Sequence, residues 1–333
     1  HMARFIAIII AVAVIVAGAF QWESANYKAP GPAARDGQQT LVLIAPGAGV
    51  SKIATTLEAA RVIPRAWLFW VGTRLRGQAK ALKAGEYAIP AHASLADIAA
   101  LLISGKSVQH KLTAAEGLTS QMIYDLVKND PVLVGDAGKV PAEGTLLPET
   151  YLFTRGTTRT ELLTRMRSAQ TALLDRLWEN RAADLPIKTR EEALTLASIV
   201  EKESALSTER RHVASVFVNR LKIGMPLQSD PTIIYGITRG YPLGRPIYES
   251  EIKAATPYNT YVIAGLPPHP IANPGADSLA AVLNPDQTSD LYFVADGTGG
   301  HVFAPSLAEH AKNVAKWRKL RTQQKLSPAS PKG

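Results

Sequence analysis

Two glutamates, Glu201 and Glu203, stand in the run Ala197-Ser198-Ile199-Val200-Glu201-Lys202-Glu203-Ser204, whose apolar residues recur at helical spacing. A carboxyl group held against apolar neighbours resists ionisation, so it can stay protonated near neutral pH and give that proton to a departing oxygen. That is the acid half of glycosidic-bond cleavage. On a helical wheel Glu201 lies about 20° from Leu194, on a side shared with Ala197 and Val200, with Thr195, Ser198 and Lys202 as the polar stripe beside it. Glu203 lies about 160° further round, near Leu196 and Ile199, so the two cannot flank one bond as a pair. Periodicity makes Glu203 the more oddly buried of the two and does not select which one does chemistry.

Three polar clusters follow: Val218-Asn219-Arg220-Leu221, Gln228-Ser229-Asp230-Pro231-Thr232 ahead of Tyr235, and Pro257-Tyr258-Asn259-Thr260-Tyr261 leading into Gly265-Leu266-Pro267-Pro268. Amides, hydroxyls and tyrosines on proline-stiffened loops suit sugar binding. In this order after the Glu201 run, they resemble the MltG (YceG-like) endolytic murein transglycosylases, over nearly all the chain beyond about residue 40. The resemblance implies that Glu201 is the catalytic acid. It also implies a substrate-binding set of Asn219, Arg220, Gln228, Ser229, Asp230, Thr232, Tyr235, Tyr258, Asn259, Thr260 and Tyr261. Glu203 is then structural, hydrogen-bonded or paired with an arginine such as Arg210 or Arg220.

The implied reaction cuts peptidoglycan glycan strands between N-acetylmuramic acid and N-acetylglucosamine and needs one carboxyl group and no cofactor. The muramyl C6 hydroxyl is the nucleophile and the product a 1,6-anhydro sugar. Two rival readings are a hydrolytic muramidase, with Asp230 activating water, and a wall-binding scaffold without catalysis. No histidine among His92, His110, His212, His269, His301 and His310 falls at paired-ligand spacing with a carboxylate, so no metal site is expected.

The elements that must position these residues give an α+β protein. Thr189-Arg190-Glu191-Glu192 is a capping box opening the helix that carries Glu201. Upstream, residues 160–183 read as a long amphipathic helix with Trp178 in its core, and Glu143-Gly144-Thr145-Leu146-Leu147-Pro148-Glu149-Thr150-Tyr151 resembles the family's groove motif, with Thr145 and Leu147 where an aromatic is common. Residues 40–44, 51–63, 64–75 and 85–90 read as strand, helix, helix, strand, the order of a LysM module. Ser94-Leu95-Ala96-Asp97 caps the helix 95–104, stopped by Gly105. Asp296-Gly297-Thr298-Gly299-Gly300 lies between two apolar runs and reads as a hairpin turn.

Residues 5–20 contain no charge and end near Trp22, which marks a membrane-targeting element, read as an uncleaved anchor at 5–22. Ala17-Gly18-Ala19 keeps a cleavable signal peptide open. Arg4 before the span puts the N-terminus in the cytoplasm and the rest on the periplasmic or outer side of a bacterial inner membrane. The expected domains are a linker at 23–39, a LysM-like βααβ domain at 40–108, a mixed α/β catalytic domain at 109–322 and a basic tail at 323–333.

The chain of 333 residues has 46% hydrophobic residues, enough for packed cores, and no cysteine, which excludes disulfides, thiolate nucleophiles and Cys-based zinc sites. Its net charge of +9 suits anionic headgroups or acidic wall polymers; no nucleic-acid module accompanies it. Peptidoglycan synthases are partners that the resemblance alone implies.

Overall fold

The structure, a computed structural model, describes residues 2–326 and divides into two compact units. The first comprises residues 1–111 and 152–157. It opens with the helix α1 (Met2–Lys28), followed by β1 (Gln39–Ile44), α2 (Val50–Ala59), α3 (Ala66–Leu75), β2 (Gly85–Pro90) and α4 (Leu95–Ser104). The strands pair antiparallel, Gln39 opposite Pro90 and Ile44 opposite Gly85. Alternation puts Val42, Ile44, Tyr87 and Ile89 on the inner face, against Ile53, Leu57, Phe69, Ile98 and Leu102. The expected βααβ order is present, and so is the Ser94–Asp97 capping box, with Gly105 in the left-handed conformation at the end of α4.

The apolar part of α1 is fully exposed, long and apolar enough to cross a bilayer. Its last turns are not. Glu23 and Tyr27 are buried; Arg76 donates to Glu23 at 2.8 Å and stacks over the Tyr27 ring at 3.8 Å. Residues 23–28, expected in a linker, are helix, and Glu23 and Tyr27 pack into the first unit, where the Arg76 guanidinium offsets the cost of burying the Glu23 carboxylate. The stretch after it is pinned as well: the Gly31 N–H donates to the His92 carbonyl at 3.1 Å and the His92 N–H to that of Pro32 at 2.9 Å.

The chain leaves this unit in β3 (His110–Thr113) and returns through β4 (Thr150–Phe153). In the first unit Glu86 ties down the returning segment, accepting from His110 at 2.7 Å and Arg155 at 3.1 Å; these bonds hold its carboxyl below the usual range. The unit thus takes in residues up to Lys111 together with the returning segment 152–157.

The second unit comprises residues 112–151 and 158–333 and is mainly helical: α5 (Ser120–Asn129), α6 (Arg159–Glu179), α7 (Arg190–Glu203), α8 (Arg210–Lys222), α9 (Asp230–Thr238), α10 (Glu249–Ile252), α11 (Ala276–Leu283) and α12 (Leu307–Leu326). The antiparallel hairpin β5 (Tyr292–Ala295) and β6 (His301–Ala304) encloses the 296–300 turn as expected. Helix α6 stops at Glu179, short of 183, and Trp178 is core. The tail expected at 323–333 begins inside α12; residues 327–333 lie outside the described ones.

Helix α7 is the centre of this unit, packed by α6, α8, α9 and α11. Its capping box forms, with the Thr189 hydroxyl accepting from the Glu192 N–H at 3.2 Å. The expected polar stripe is absent: Thr195 and Ser198 are buried, their hydroxyls donating to the Glu191 and Thr195 carbonyls, and Ser198 accepts from the Ile271 N–H at 3.0 Å. Of that stripe only Lys202 is exposed; Thr195 and Ser198 lie under packed neighbours and bond to the backbone instead.

Close approach of α1 and α3 rests on Gly72, where a Cβ would meet the Tyr27 ring at 2.3 Å and Glu23 at 2.9 Å. Gly72→Ala gains about 1 kcal/mol of helix propensity, but the overpacking, about 1–3 kcal/mol, outweighs it. Net destabilisation of the first unit is expected, measured as faster amide exchange in α3 of the full chain in detergent.

Candidate active site

Two carboxylates leave the end of α7 in different directions and meet different surroundings. Glu201 points to the start of α11. One oxygen accepts from the Gly275 N–H at 2.9 Å and the Ser278 hydroxyl at 2.6 Å; the other lies 3.4 Å from the Arg210 guanidinium. Its side chain is 5% exposed and that of Arg210 9%. An anion at a helix N-terminus, answered by orphan N–H groups and a buried arginine, is a structural clamp. Every contact uses Glu201 as an acceptor. The start of α11 lies where a cleft was expected, and Glu201 does not line the cavity that Glu203 opens into.

Glu203, the last residue of α7, opens into a polar cavity of about 350 Å³. It is half-buried, its free side being the cavity itself. One carboxylate oxygen accepts from the Ser229 hydroxyl at 2.6 Å. Burial pushes this carboxyl well above the usual range, and the neighbouring charge of Asp230 adds to the rise. The expected pairing with Arg210 does not form; Arg220 does lie on the same cavity.

The loop after α8 builds the wall. Arg220 donates through Nε to the Leu291 carbonyl at 2.7 Å and through Nη1 to that of Leu227 at 2.7 Å, with its guanidinium 5.3 Å over the Tyr292 ring. Gln228 lines the cavity with a left-handed backbone, φ 53°, held by its N–H on the Thr260 carbonyl at 3.0 Å. Asp230 opens α9 and accepts from the Tyr261 hydroxyl at 2.7 Å, and both line the cavity. Burial and the Asp230 charge push the Tyr261 hydroxyl far up, so it remains a donor.

Of the expected binding set, Arg220, Gln228, Asp230 and Tyr261 line the cavity with Glu203, and Ser229 reaches it through its hydrogen bond. Four others are scaffold rather than lining. Asn219 donates to the Thr288 and Asp290 carbonyls; Thr232 and Thr260 bond to each other at 2.8 Å beneath Ser229. Asn259 caps the end of α10, donating to the carbonyls of Glu251, Ile252 and Ala254. The remaining two, Tyr235 and Tyr258, stand in another cluster. Tyr235 donates to Glu143 at 3.0 Å, a carboxyl that burial also raises, and Tyr258 donates to Nε2 of His269, whose Nδ1 is engaged with the Pro270 carbonyl at 2.6 Å. Asn273 is a buried tie between the Leu118 carbonyl and the Leu146 N–H.

Sequence reasoning passed over Glu203 as the cavity carboxyl, and also His310, Leu307 and Tyr292, which close the cavity from the C-terminal end. A signal for Glu203 existed, since it shares its helical face with Leu196 and Ile199. No metal cluster occurs among the described residues.

The chain matches the YceG-like family over residues 42–316. It is 31% identical over 336 residues to a Bacillus subtilis (strain 168) protein named endolytic murein transglycosylase, with 91% of each covered. A protein of the same name from Streptococcus pneumoniae serotype 2 is 30% identical over 318 residues, which cover 81% of this chain but only 56% of that longer relative. Among solved structures, a yceG-like protein of Listeria monocytogenes is 30% identical with a TM-score of 0.52, covering 83% of this chain and 98% of the other.

The two carboxyl groups contribute to stability in different ways. Breaking the buried Glu201–Arg210 contact by Glu201→Gln should cost about 2–3 kcal/mol at neutral pH. Glu203, with a raised folded value, contributes stability that is full below about pH 4.3 and lost as pH rises through that folded value. Thermal melts against pH should therefore show Glu201→Gln below wild type at pH 7, and Glu203→Gln gaining on wild type as pH rises.

Proposed function

This chain belongs to the YceG-like family, and from that premise we propose that it is a membrane-anchored endolytic murein transglycosylase with Glu203 as its acid. The observation that carries the assignment of the acid is the pairing of desolvation with access: Glu203 opens to a cavity, while burial raises the proton affinity of its carboxyl. The name of the two relatives supports the substrate, the glycan strands of peptidoglycan.

In this reading Glu203 gives its proton to the glycosidic oxygen between N-acetylmuramic acid and N-acetylglucosamine as the C1–O bond breaks. The muramyl C6 oxygen then bonds to C1, and its proton passes to the Glu203 carboxylate, restoring the acid. No water is consumed, and the end formed is 1,6-anhydro. Ser229 orients Glu203 by occupying one of its oxygens, which leaves the other to face the substrate. Arg220 and Gln228 supply donors to the sugar hydroxyls and N-acetyl groups, and Tyr261, held by the bond it gives to Asp230, offers its oxygen as an acceptor. Glu201 positions the start of α11 and does not touch substrate.

The exposed apolar stretch of α1, with Arg4 before it, supports a single-pass anchor with both units on the periplasmic or outer side of a bacterial membrane. The βααβ order of β1, α2, α3 and β2 supports a LysM-like module in the first unit. Peptidoglycan synthases would be partners by way of the nascent strand.

Glu203→Gln should lower cleavage of purified glycan strands by about 10²–10⁴-fold, the range of a positioned acid, while Glu201→Gln stays within tenfold of wild type at temperatures where it is folded. The reverse order would return the acid role to Glu201. Cleavage should fall as pH rises through the raised value of Glu203. Mass spectrometry of products formed in ¹⁸O-labelled water should find anhydro ends without label; labelled reducing ends would make the protein a muramidase instead.

A further inference from the structure

The apolar helix and the first unit share a rigid joint, and that joint fixes what lies beside the membrane. Trp22 stands two residues beyond Phe20, the last residue of the uncharged stretch, a distance of about 3 Å along the helix. That is headgroup height for a span of this length, where tryptophan is favoured. Trp67, at the start of α3, stacks on Trp22 with ring centroids 6.1 Å apart and planes at 13°. The next contacts along α3, Gly72 and Arg76, fall on Glu23 and Tyr27, further along α1. So the N-terminal end of α3 is the end nearer the bilayer, at the level of Trp22.

Neither indole is covered: Trp22 is 55% exposed and Trp67 51%. Arg65 precedes Trp67 with a largely exposed guanidinium, and its one acidic neighbour, Glu58, stands 3.9 Å away, a weak pair at the surface. Aromatic rings beside a cation are the composition of a membrane interface rather than of a solvated helix end. The alternative, an indole pair merely shielding itself in water, leaves half of each ring exposed beside an apolar helix that is itself exposed.

Resting on the reading of α1 as a membrane span, we propose that the first unit docks on the bilayer through a second contact, the N-terminal end of α3, with Trp67 in the headgroup region and Arg65 against lipid phosphates. The occupant of this surface is the lipid interface itself, because the surface continues the one that α1 already presents to lipid. The consequence is mechanical. The buried Glu23–Arg76 pair, the Tyr27 hydroxyl on Gln78 at 3.0 Å and the pinned 31–32 stretch leave no swivel between span and unit. The first unit is held flat at one height and orientation instead of swinging on a tether.

The absence of cysteine makes the test clean. Single cysteines at Trp67→Cys, Arg65→Cys and Val14→Cys carry an environment-sensitive fluorophore in the full chain, in nanodiscs of phosphatidylcholine and phosphatidylglycerol with quenchers at the top or the end of the acyl chains. Labels at 67 and 65 should lose emission to the shallow quencher more than to the deep one, and the label at 14 the reverse. If 14 is quenched while 67 and 65 are both untouched, the docking contact is wrong and the span stands. If 14 is untouched as well, the reading of α1 as a span fails, and the docking proposal with it.

Discussion

A carboxyl group at the end of a largely buried helix must find its partners in whatever loops reach it, and the chemistry of α7 follows from which loops those are. Glu201 meets the start of α11 and Arg210, and becomes an anion clamped by an N–H, a hydroxyl and a guanidinium. Glu203 meets one serine hydroxyl and a cavity. Desolvation without full compensation is what keeps a carboxylic acid protonated. The same burial that stabilises α7 through Leu196, Ile199 and Val200 therefore sets the proton affinity of its last residue. Stability and chemistry pull against one another at this point, as they commonly do where a charge is stored in a core.

The hydrogen bond from Ser229 to Glu203 in turn depends on a braced loop. Ser229 is held by its N–H on the Thr260 hydroxyl at 2.9 Å and by its carbonyl, which accepts from Thr232 at 2.6 Å. Thr260 sits in a turn fixed by Asn259, which closes three carbonyls at the end of α10. Arg220, reaching across to the Leu291 carbonyl, ties the loop to the β5 strand and so to the lip of the cavity. Residues that a sugar-binding reading would assign to the ligand thus act one layer behind it. They fix loops whose outer residues, Gln228, Asp230 and Tyr261, face the open volume.

Several elements were legible from local chemistry: the Thr189–Glu192 and Ser94–Asp97 capping boxes, the strand–helix–helix–strand order and the 296–300 hairpin turn all depend on residues close in sequence. The surroundings of Glu201 and Glu203 were not, because a helical wheel gives an angle but not what packs at that angle. The group that occupies Glu201 lies 74 to 77 residues later, at Gly275 and Ser278. The polar stripe assigned to Thr195 and Ser198 failed for a related reason: short hydroxyls bond their own backbone and so can be buried as easily as alanine. Likewise, the end of α1 looked like a linker because charged Glu23 and Lys28 flank it, and only Arg76, far along the chain, makes Glu23 a core residue.

The central claim is that Glu203, whose carboxyl burial raises, is the group that gives the proton. Infrared difference spectroscopy of the full chain reads this directly through the C=O stretch of an un-ionised carboxylic acid, which a carboxylate lacks. Subtracting the spectrum of Glu203→Gln from wild type at pH 7 should leave such a band. A band that depends on Glu201 and survives the loss of Glu203 would contradict the account.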